Sequence, residues 1–397
     1  MQDSTSGNKL PKGWAIAKFE DLLDYIQPTE YIVVSTAYDD KYKTPVLTAG
    51  KSFIKGYTNE THGIFDAVPV IIFDDFTTAI QFVNFPFKVK SSAMKILKPT
   101  SDFVNIKLTF YFMQTVHLKS ETHKRYWISE YSKLPIPLPP LKEQQRIFEK
   151  LEEIFTNLDK GIEYLETAEQ QLKVYRQAVM KWAIEGKFDN KIVKGGKLPV
   201  GWTEGKFEDL LDYIQPTNYI VASTEYSDEY KTPVLTAGKS FILGYTNEVN
   251  GIFNSFPVII FDDFTTATKF VNFQFKVKSS AMKILKPKNK EVNIKFAFYL
   301  MQTIQITADT HKRYWISEYS KFRILIPSPN DQAKIVSEIE SRLSVCDKIE
   351  EIIENGLQQS KALRLSIIKK AFEGKLVKQN PNDESAEKLL TKIRAEI

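Results

Sequence analysis

The sequence predicts an α+β fold in which two tandem mixed α/β domains are separated by two long helices that form a coiled coil. Two observations lead to this prediction. The chain repeats itself at a fixed offset, and each copy ends in a long segment whose apolar residues recur in steps of three and four. Each long segment therefore has one apolar stripe, and the two copies are expected to cover each other.

The internal repeat relates segments that lie 188 residues apart. KLPKGW ends at Trp14 and KLPVGW ends at Trp202, and HKRYWISEYSK begins at both His123 and His311. No gap is needed anywhere between the two copies. The chain is therefore expected to be a duplication of a globular block followed by a long helix.

The two long helices are predicted over 141–187 and 328–375. Pro139 and Pro140 precede the first helix, where proline can open a helix, and Gly186 ends it. At a rise of roughly 1.5 Å per residue, this helix would be on the order of 60 Å long. Arg342 and Ser360 interrupt the stripe of the second helix. The residues expected to pair the helices are Ile147, Leu151, Ile154, Leu158, Leu165 and Leu172 in the first, and Ile335, Ile339, Ile349, Ile353, Leu363 and Ile367 in the second.

Short apolar runs that are rich in β-branched and aromatic residues fill the block before each helix. In the first block YIVV, TPVLTA, VPVIIF and FVNFPFKV are bounded by glycine, proline and asparagine, which is typical of strands joined by turns. Residues 19–25 and 106–116 have helical spacing instead. The predicted boundaries are a first domain over 1–140, a helix over 141–187, a linker and second domain over 188–327, a helix over 328–375, and a tail over 376–397 with a short helix capped by Asp383 or Ser385.

The composition is that of an ordinary globular protein. The 397 residues suffice for two domains and two helices, and the hydrophobic fraction of 43% argues against a disordered chain. The net charge of +5 is compatible with a polyanionic partner without requiring one. Cys346 is the only cysteine, which favours a reducing compartment. With a polar N-terminus and only short apolar runs, the sequence predicts a soluble, cytoplasmic protein without a membrane partner.

Cofactor motifs are weak. The sequence AGKS at 49–52 and 237–240 resembles the end of a phosphate-binding loop, but Pro45 and Pro233 stand where that loop needs a glycine. No glycine-rich fingerprint for a methyl donor or a dinucleotide follows a predicted strand. We therefore expect no cofactor on this chain.

The aspartate pairs Asp74-Asp75 and Asp262-Asp263 are the strongest candidates for catalysis. They could bind a divalent metal in a nuclease, but no companion carboxylate and lysine stand at a suitable spacing. The alternative is that each pair ends a buried strand and caps the Thr-Thr turn that follows. This second reading is favoured, and neither a catalytic residue nor a metal site is predicted.

The polar residues of both blocks combine the side-chain types that read nucleic acid. Lysine and arginine position the backbone phosphates, whereas glutamine, asparagine, threonine and arginine can read base edges. The alternative is an ordinary solvated surface. The candidate contacts are Lys43, Thr48, Lys51, Tyr57, Thr77, Thr78, Lys90, Ser91, Lys124, Arg125 and Tyr126 in the first block, and Lys231, Thr236, Lys239, Tyr245, Thr265, Thr266, Lys278, Ser279, Lys312, Arg313 and Tyr314 in the second.

The chain resembles the specificity (S) subunit of type I restriction–modification enzymes. The resemblance lies in the two tryptophan motifs, in IPLPPLKEQQRIFEKLEEIF over 136–155, in YRQAVMKWAIEGKF over 175–188 and in RLSIIKKAFEGKLV over 364–377. It implies a non-catalytic subunit whose blocks are target-recognition domains, each reading one half of a split site in double-stranded DNA. It also implies that the helices pair as an antiparallel coiled coil with a pseudo-twofold axis between them, hold the domains apart and dock two methyltransferase (modification) subunits, which methylate adenine. Restriction or motor subunits would join the full complex.

The duplication adds an expectation about the DNA site. Antiparallel helices would present two nearly identical domains to DNA in inverted orientation, so the gapped site should be nearly palindromic. Positions that differ, such as Lys55 against Leu243, mark where the half-sites could diverge. Whole heptads inserted into both helices should lengthen the gap. Two alternatives stay open, a coiled-coil scaffold that binds proteins and a metal-dependent nuclease.

Overall fold

The computed structural model describes residues 10–48, 52–116, 118, 125–189, 198–236, 240–304 and 313–396. The chain divides into two compact units. Unit 1 consists of Met1–Tyr164 and Asn355–Ile397, and unit 2 consists of Leu165–Glu354. Each long helix therefore contributes one end to each unit. Among the described residues, no helix is long and apolar enough to cross a membrane.

The strands of unit 1 form small sheets in its described part. An antiparallel ribbon pairs β1 with β9, a four-stranded sheet has the order β2-β8-β5-β6, and a three-stranded sheet has the order β4-β3-β7, with β3 parallel to β7. The elements are β1 Ala15–Lys18, α1 Phe19–Leu22, β2 Leu23–Ile26, β3 Thr44–Leu47, β4 Ile54–Thr58, β5 Val70–Asp74, β6 Ile80–Val83, β7 Lys88–Val89, β8 Met94–Pro99, α2 Ile106–Met113, α3 Tyr126–Ser129, β9 Pro135–Leu138 and α4 Leu141–Ile184.

Unit 2 repeats this arrangement in the same order, with sheets β10-β18, β11-β17-β14-β15 and β13-β12-β16. The predicted α+β fold with an internal repeat is thereby confirmed. The elements are β10 Thr203–Lys206, α5 Phe207–Leu210, β11 Leu211–Ile214, β12 Thr232–Leu235, β13 Ile242–Thr246, β14 Val258–Asp262, β15 Thr268–Val271, β16 Lys276–Val277, β17 Met282–Pro287, α6 Ile294–Gln302, α7 Tyr314–Ser317, β18 Arg323–Ile326, α8 Pro329–Phe372 and, returning to unit 1, α9 Ala386–Glu396.

The central strand of each domain is buried on both faces. In unit 1 every residue of β5 is buried, and its side chains alternate between two clusters because successive residues of a strand point to opposite faces. Ile71 and Phe73 join the cluster below α1 and α3, whereas Val70 and Ile72 join the cluster with β3 and β7. The aspartates that end this strand are thus held on a rigid base.

Two local predictions are wrong. YIVV was expected to be a strand, but Pro28–Tyr31 forms a 3₁₀ helix because Pro28 favours the first turn of a helix, and Ile32 only bridges to Val89. The helix expected over 19–25 ends at Leu22, and Leu23–Ile26 pairs with β8 instead. In both cases tertiary pairing decides the conformation of a segment whose local pattern is ambiguous.

Within unit 1, α4 and α8 pack in antiparallel fashion, as predicted. The N-terminal part of α4 contributes Ile147, Leu151 and Phe155, and the C-terminal part of α8 contributes Ile368 and Ala371, to one buried cluster. α2 joins this cluster through its own apolar side chains. The globular domain of unit 1 and the helix pair of the same unit therefore share a hydrophobic core.

Polar contacts complete the helix pairing. In unit 1 the Arg364 guanidinium lies 4.3 Å from the centre of the Phe155 ring and binds the Asp159 carboxylate. In unit 2 the Arg176 guanidinium donates to Asp347 and Glu350, both at 2.7 Å. These contacts again join the helices in antiparallel order, since each joins the first half of one helix to the second half of the other.

The pairing residues predicted from the sequence differ in burial. Ile147, Leu151, Leu172, Ile335, Ile339 and Ile353 are buried, and Ile154, Leu158, Leu165 and Ile367 are half-buried. Ile349 and Leu363 are 41% and 51% exposed, so their assignment to the seam is wrong. Around these positions, the residues of α8 that face α4 are Cys346, Glu350 and Ile353 and, further along the helix, Arg364. The sequence stripe misses this because charged residues carry out pairing at those turns.

The C-terminal helix α9 packs on α1 and β1 of unit 1. Its apolar side chains Leu389, Leu390 and Ile393 are buried, and Arg394 donates to Asp21 at 2.8 and 3.0 Å. The helix begins directly after Ser385. The Asp383 carboxylate accepts a hydrogen bond from Arg146 instead, at 2.6 Å.

Candidate nucleic-acid interface

Asp75 lies at the centre of the polar surface of unit 1. This residue is fully buried at the end of β5. Its N–H donates to the Ala93 carbonyl at 3.0 Å, its own carbonyl accepts from the Tyr126 N–H at 2.9 Å, and its Oδ1 accepts from the Trp127 N–H at 2.8 Å. One residue therefore joins the turn after β5, the segment before β8 and the start of α3.

The second carboxylate oxygen of Asp75 faces a buried lysine. Its Oδ2 lies 3.7 Å from the Nζ of Lys95, whose side chain is 3% exposed. Lys95 also donates to the Gln27 side chain, and Gln27 Nε2 donates to the Ser92 carbonyl at 3.3 Å. Burial lowers the pKa of the Lys95 ammonium, and the Asp75 carboxylate only partly offsets this. The ion pair of Asp75 with Lys95 is thus buried beneath the polar surface of unit 1.

Asp74 caps the turn that follows it. Its Oδ1 accepts from the N–H groups of Phe76 at 2.8 Å and Thr77 at 3.2 Å, and its carbonyl accepts from the Thr78 N–H at 2.9 Å. Thr78 has a φ of +58°, which closes the turn. The expected capping role of the aspartate is therefore confirmed.

We call the surface that these contacts assemble the turn surface. Phe76, Thr77 and Thr78 lie at the tip of the β5–β6 hairpin. The bond from the Tyr126 N–H to Asp75 brings Arg125 beside them, and the bond from Asp75 to the Ala93 carbonyl holds the segment that includes Ser91. Phe76 is 42% exposed, and the Arg125 guanidinium lies 6.0 Å from the centre of its ring. A cation, hydroxyl groups and an aromatic ring on one fixed surface can contact phosphate and base edges together.

Unit 2 builds the same surface with nearly the same distances. The Asp263 carbonyl accepts from the Tyr314 N–H at 2.9 Å, and its Oδ1 accepts from the Trp315 N–H at 2.9 Å. Its Oδ2 lies 3.2 Å from the Nζ of Lys283. Asp262 caps the following turn as Asp74 does, and Thr266 has a φ of +60°. The turn surface of unit 2 consists of Phe264, Thr265, Thr266, Ser279 and Arg313.

The other candidates lie around the β3–β4 hairpin. The Lys90 N–H donates to the Leu47 carbonyl at 2.9 Å, which places Lys90 beside Thr48 and next to the turn surface. Lys43 and Tyr57 lie at the opposite end of β3, where Pro45 pairs with Tyr57. The copies Lys278, Thr236, Lys231 and Tyr245 occupy the same places in unit 2.

Two of the candidate contacts are wrong. Tyr126 and Tyr314 are 1% and 2% exposed, because α3 and α7 turn their rings into the hydrophobic cores of the two units. The preceding Arg125 and Arg313 remain at the surface. Lys51, Lys124, Lys239 and Lys312 lie outside the described residues.

Two features of this surface were not predicted from the sequence, namely the two exposed phenylalanines and the buried contact between Gln27 and Lys95. By residue type alone, Phe76 and Phe264 are expected in the core. Their position between the capping aspartates and the two threonines nevertheless indicates an exposed turn. Gln27 and Lys95 are 68 residues apart in sequence, so no local pattern links them.

The structure gives the aspartate pairs definite roles other than metal binding. Asp74 bonds the turn, and Asp75 bonds backbone N–H groups and Lys95. In the part of the chain that the structure describes, no group of three or more His, Cys, Asp or Glu residues is placed to hold a metal ion.

An ion pair between the buried Lys88 and the half-buried Glu60 fixes the loops next to the β3–β4 hairpin. Glu60 accepts from the N–H groups of Val34 at 3.0 Å and Ser35 at 2.8 Å, and it pairs with Lys88 at 3.0 Å. The Ser35 N–H, the Lys88 ammonium and the Val34 N–H lower the pKa of Glu60, although burial opposes them. Glu248 and Lys276 repeat this arrangement in unit 2.

Comparison with known proteins points to one family. Residues 11–173 match the family model described as "Type I restriction modification DNA specificity domain". The specificity subunit of the type I restriction enzymes EcoR124I/EcoR124II of Escherichia coli is 46% identical over 145 residues, which cover 35% of this chain and 36% of that protein. The EcoBI specificity subunit of Escherichia coli is 26% identical over 305 residues, which cover 66% of this chain and 64% of that protein.

The chain thus spans about a third of the length of the first relative and slightly less than two thirds of the second. A chain in a solved structure described as "Structural basis underlying complex assembly and conformational transition of the type I R-M system" has the same fold. It superposes with a TM-score of 0.62 at 15% identity, and the match covers 93% of this chain and all of that one.

Proposed function

We propose that the chain is a type I restriction–modification specificity subunit, the DNA-recognition subunit of such a complex, as its similarity to proteins of that family indicates. It is a non-catalytic subunit that binds a bipartite site in double-stranded DNA. The observation that carries the proposal is the duplicated turn surface, in which one buried aspartate per unit presents the same hydroxyl groups, aromatic ring and arginine. Two copies of one reading surface suit a site with two halves.

The two globular domains, over 1–140 and 188–327, are the target-recognition domains of this proposal. Thr77, Thr78, Ser91 and Arg125, with their copies in unit 2, contact the two half-sites. Since these residues are the same in both units, the two half-sites are nearly the same sequence. When antiparallel helices orient the domains, the complete site becomes a gapped, nearly palindromic sequence.

The paired helices are the proposed docking site for two methyltransferase subunits, and restriction or motor subunits complete the complex. The methyl donor binds to the methyltransferase subunits, so this chain needs no cofactor. The complex acts on DNA in the cytoplasm. The many mixed polar and apolar residues on the exposed faces of α4 and α8 support a role in protein contact.

The proposal is tested by mapping methylated adenines in cells that express this chain with the methyltransferase encoded beside it. We expect methylation at one gapped inverted motif, and no such methylation in cells that lack the chain. The variant Arg125→Ala with Arg313→Ala should weaken methylation, whereas Lys18→Ala with Lys206→Ala, which removes two exposed lysines outside the turn surfaces, should not. Methylation that is independent of the chain would contradict the proposed function. A motif with two unrelated half-sequences would contradict the near-palindromic site.

The helix pair is tested separately. Insertion of one heptad into α4 between Ile147 and Val179, with a matching insertion into α8, should lengthen the gap of the motif by a fixed number of base pairs. An insertion of three residues changes the facing side of the helices by most of a turn and serves as the control. A motif whose gap stays the same after the heptad insertion would rule out the helices as the spacer.

A further inference from the structure

A second surface lies next to the candidate DNA contacts of each unit, and its net charge differs between the two units. We call it the hairpin flank, which in unit 1 consists of residues 37–41 and Lys55. The ring of Tyr38 packs against Gly56, where an added Cβ would lie 2.7 Å from the Tyr38 Cβ. The Asp39 N–H donates to the Tyr57 carbonyl at 3.2 Å. These contacts hold the 37–41 loop against β4, next to Lys55.

The hairpin flank of unit 2 has the same backbone arrangement. It consists of residues 225–229 and Leu243. Tyr226 packs on Gly244 at the same 2.7 Å, and the Ser227 N–H donates to the Tyr245 carbonyl at 3.2 Å. The two flanks therefore differ in their side chains and not in their fold.

The side chains change the charge of the flank by three. In unit 1 the flank carries Lys41 and Lys55 with Asp39 and Asp40, which gives a net charge of zero. In unit 2 the flank carries Glu225, Asp228 and Glu229 and no lysine, which gives a net charge of −3. Lys41, Lys55, Glu225 and Glu229 are all exposed. Unit 2 has a lysine, Lys269, where unit 1 has Gln81. The Nζ of Lys269 lies 6.0 Å from the centre of the Phe241 ring at the hairpin tip, so this lysine is not part of the flank.

The flank reaches one of the candidate DNA contacts. In unit 2 the Nζ of Lys278 lies 3.4 Å from the Tyr226 hydroxyl and 5.8 Å from the centre of its ring, and Lys278 is only half-buried by this contact. In unit 1 the equivalent Lys90 is exposed, and within the described residues the Tyr38 hydroxyl has no hydrogen-bond partner. The lysine of unit 2 is therefore turned toward its own flank.

We propose that Lys41 and Lys55 make phosphate contacts in unit 1 that unit 2 lacks, so that the complex holds one half-site more tightly than the other. This inference rests on the proposed function. DNA phosphates attract the exposed lysines Lys41 and Lys55 of unit 1 and are repelled by the three carboxylates on the flank of unit 2. The bases read by the turn surfaces stay nearly the same, but the electrostatic part of binding is concentrated on the half-site of unit 1.

The test is the salt dependence of DNA binding by the complex of this chain with its methyltransferase. Binding to a duplex with the methylated motif is measured by fluorescence anisotropy over a range of NaCl concentrations. In Lys41→Glu with Lys55→Leu, the slope of log Kobs against log [NaCl] should become shallower by about 1.8, because two phosphate contacts are lost at about 0.9 each. The reciprocal variant Glu229→Lys with Leu243→Lys should make the slope steeper by up to about 1.8.

The matched control is Lys378→Glu with Lys388→Leu. It makes the same charge change at two exposed residues of the C-terminal segment, outside the flanks and the turn surfaces, and its slope should equal that of the natural chain. If the flank variants behave like this control, the inference is wrong while the proposed function stands. If the natural complex shows no preference for its motif over scrambled DNA, the proposed function fails and the inference fails with it.

Discussion

Replacement of Asp75 by asparagine tests whether one buried carboxylate organises the turn surface of unit 1. Asparagine retains an oxygen that can accept the Trp127 N–H, but it removes the charge that faces the Lys95 ammonium. Lys95 would then be left buried without a charged partner, with only the Gln27 oxygen and the Tyr25 ring, whose centre lies 4.8 Å from its Nζ, beside it. We therefore expect the loops that meet at Asp75 to open more often.

Removal of one partner from a buried ion pair costs about 3–5 kcal/mol. The separation of 3.7 Å between Asp75 and Lys95 and the remaining bond to Gln27 place Asp75→Asn near the lower limit. The corresponding pair in unit 2 is closer, at 3.2 Å, so Asp263→Asn should cost more. A loss of about 3 kcal/mol corresponds to roughly a hundredfold increase in local opening.

The measurement is hydrogen–deuterium exchange of the full chain, followed by mass spectrometry. Because residues 125–133 and 313–321 have the same sequence, the peptides must extend to Leu134 or Phe322 to be told apart. In Asp75→Asn the peptide of unit 1 should exchange faster, while the peptide of unit 2 stays the same and serves as the internal control. The exposed pair of Asp24 with Lys98 supplies a matched substitution, Asp24→Asn, with an expected effect below about 1 kcal/mol.

A second substitution decides the cause. Lys95→Met in the Asp75→Asn background removes the unpaired ammonium and should restore most of the protection, since an apolar replacement of both partners is often neutral. Unchanged exchange in Asp75→Asn would refute the central role of this carboxylate. Failure of Lys95→Met to restore protection would refute the ion pair as the reason.

Three further outcomes follow from the described contacts. Arg364→Ala should destabilise the helix pair of unit 1 by about 1–2 kcal/mol in thermal unfolding, since it removes the ring contact and the ion pair, whereas the exposed Leu363→Ala should change it by less than about 0.5 kcal/mol. The lowered pKa of Glu60 stabilises its loop above the unfolded value of 4.5, so this stability should be lost as the pH falls through the lower folded value, and Glu60→Gln should abolish that pH dependence in hydrogen exchange. Ile393→Ala should loosen α9 by about 2–5 kcal/mol and expose it to limited proteolysis, while Arg394→Ala, at a partly exposed pair, should cost less than about 1 kcal/mol; equal effects of the two variants would contradict the packing of α9.

Much of the site was within reach of the sequence. The capping role of Asp74 follows from a short polar side chain before a Thr-Thr turn, and the structure has the expected bonds to Phe76 and Thr77. The burial of Tyr126 could not be predicted, because the residue lies beside basic residues and is of a type that often contacts nucleic acid. Only the direction of α3 shows that its ring enters the core while Arg125 faces outward.

The duplication, the α+β class and the two long helices could all be predicted from the order of residues. A repeat at a constant offset requires no tertiary information, and a long apolar stripe identifies a helix that needs a partner. Which side chains make the contacts between those elements depends on the tertiary structure. Asp75 meets Trp127 across 52 residues, and Arg364 rather than Leu363 turns toward α4. Such choices depend on distant partners and on the competition between charged and apolar groups for one buried position, which local periodicity does not contain.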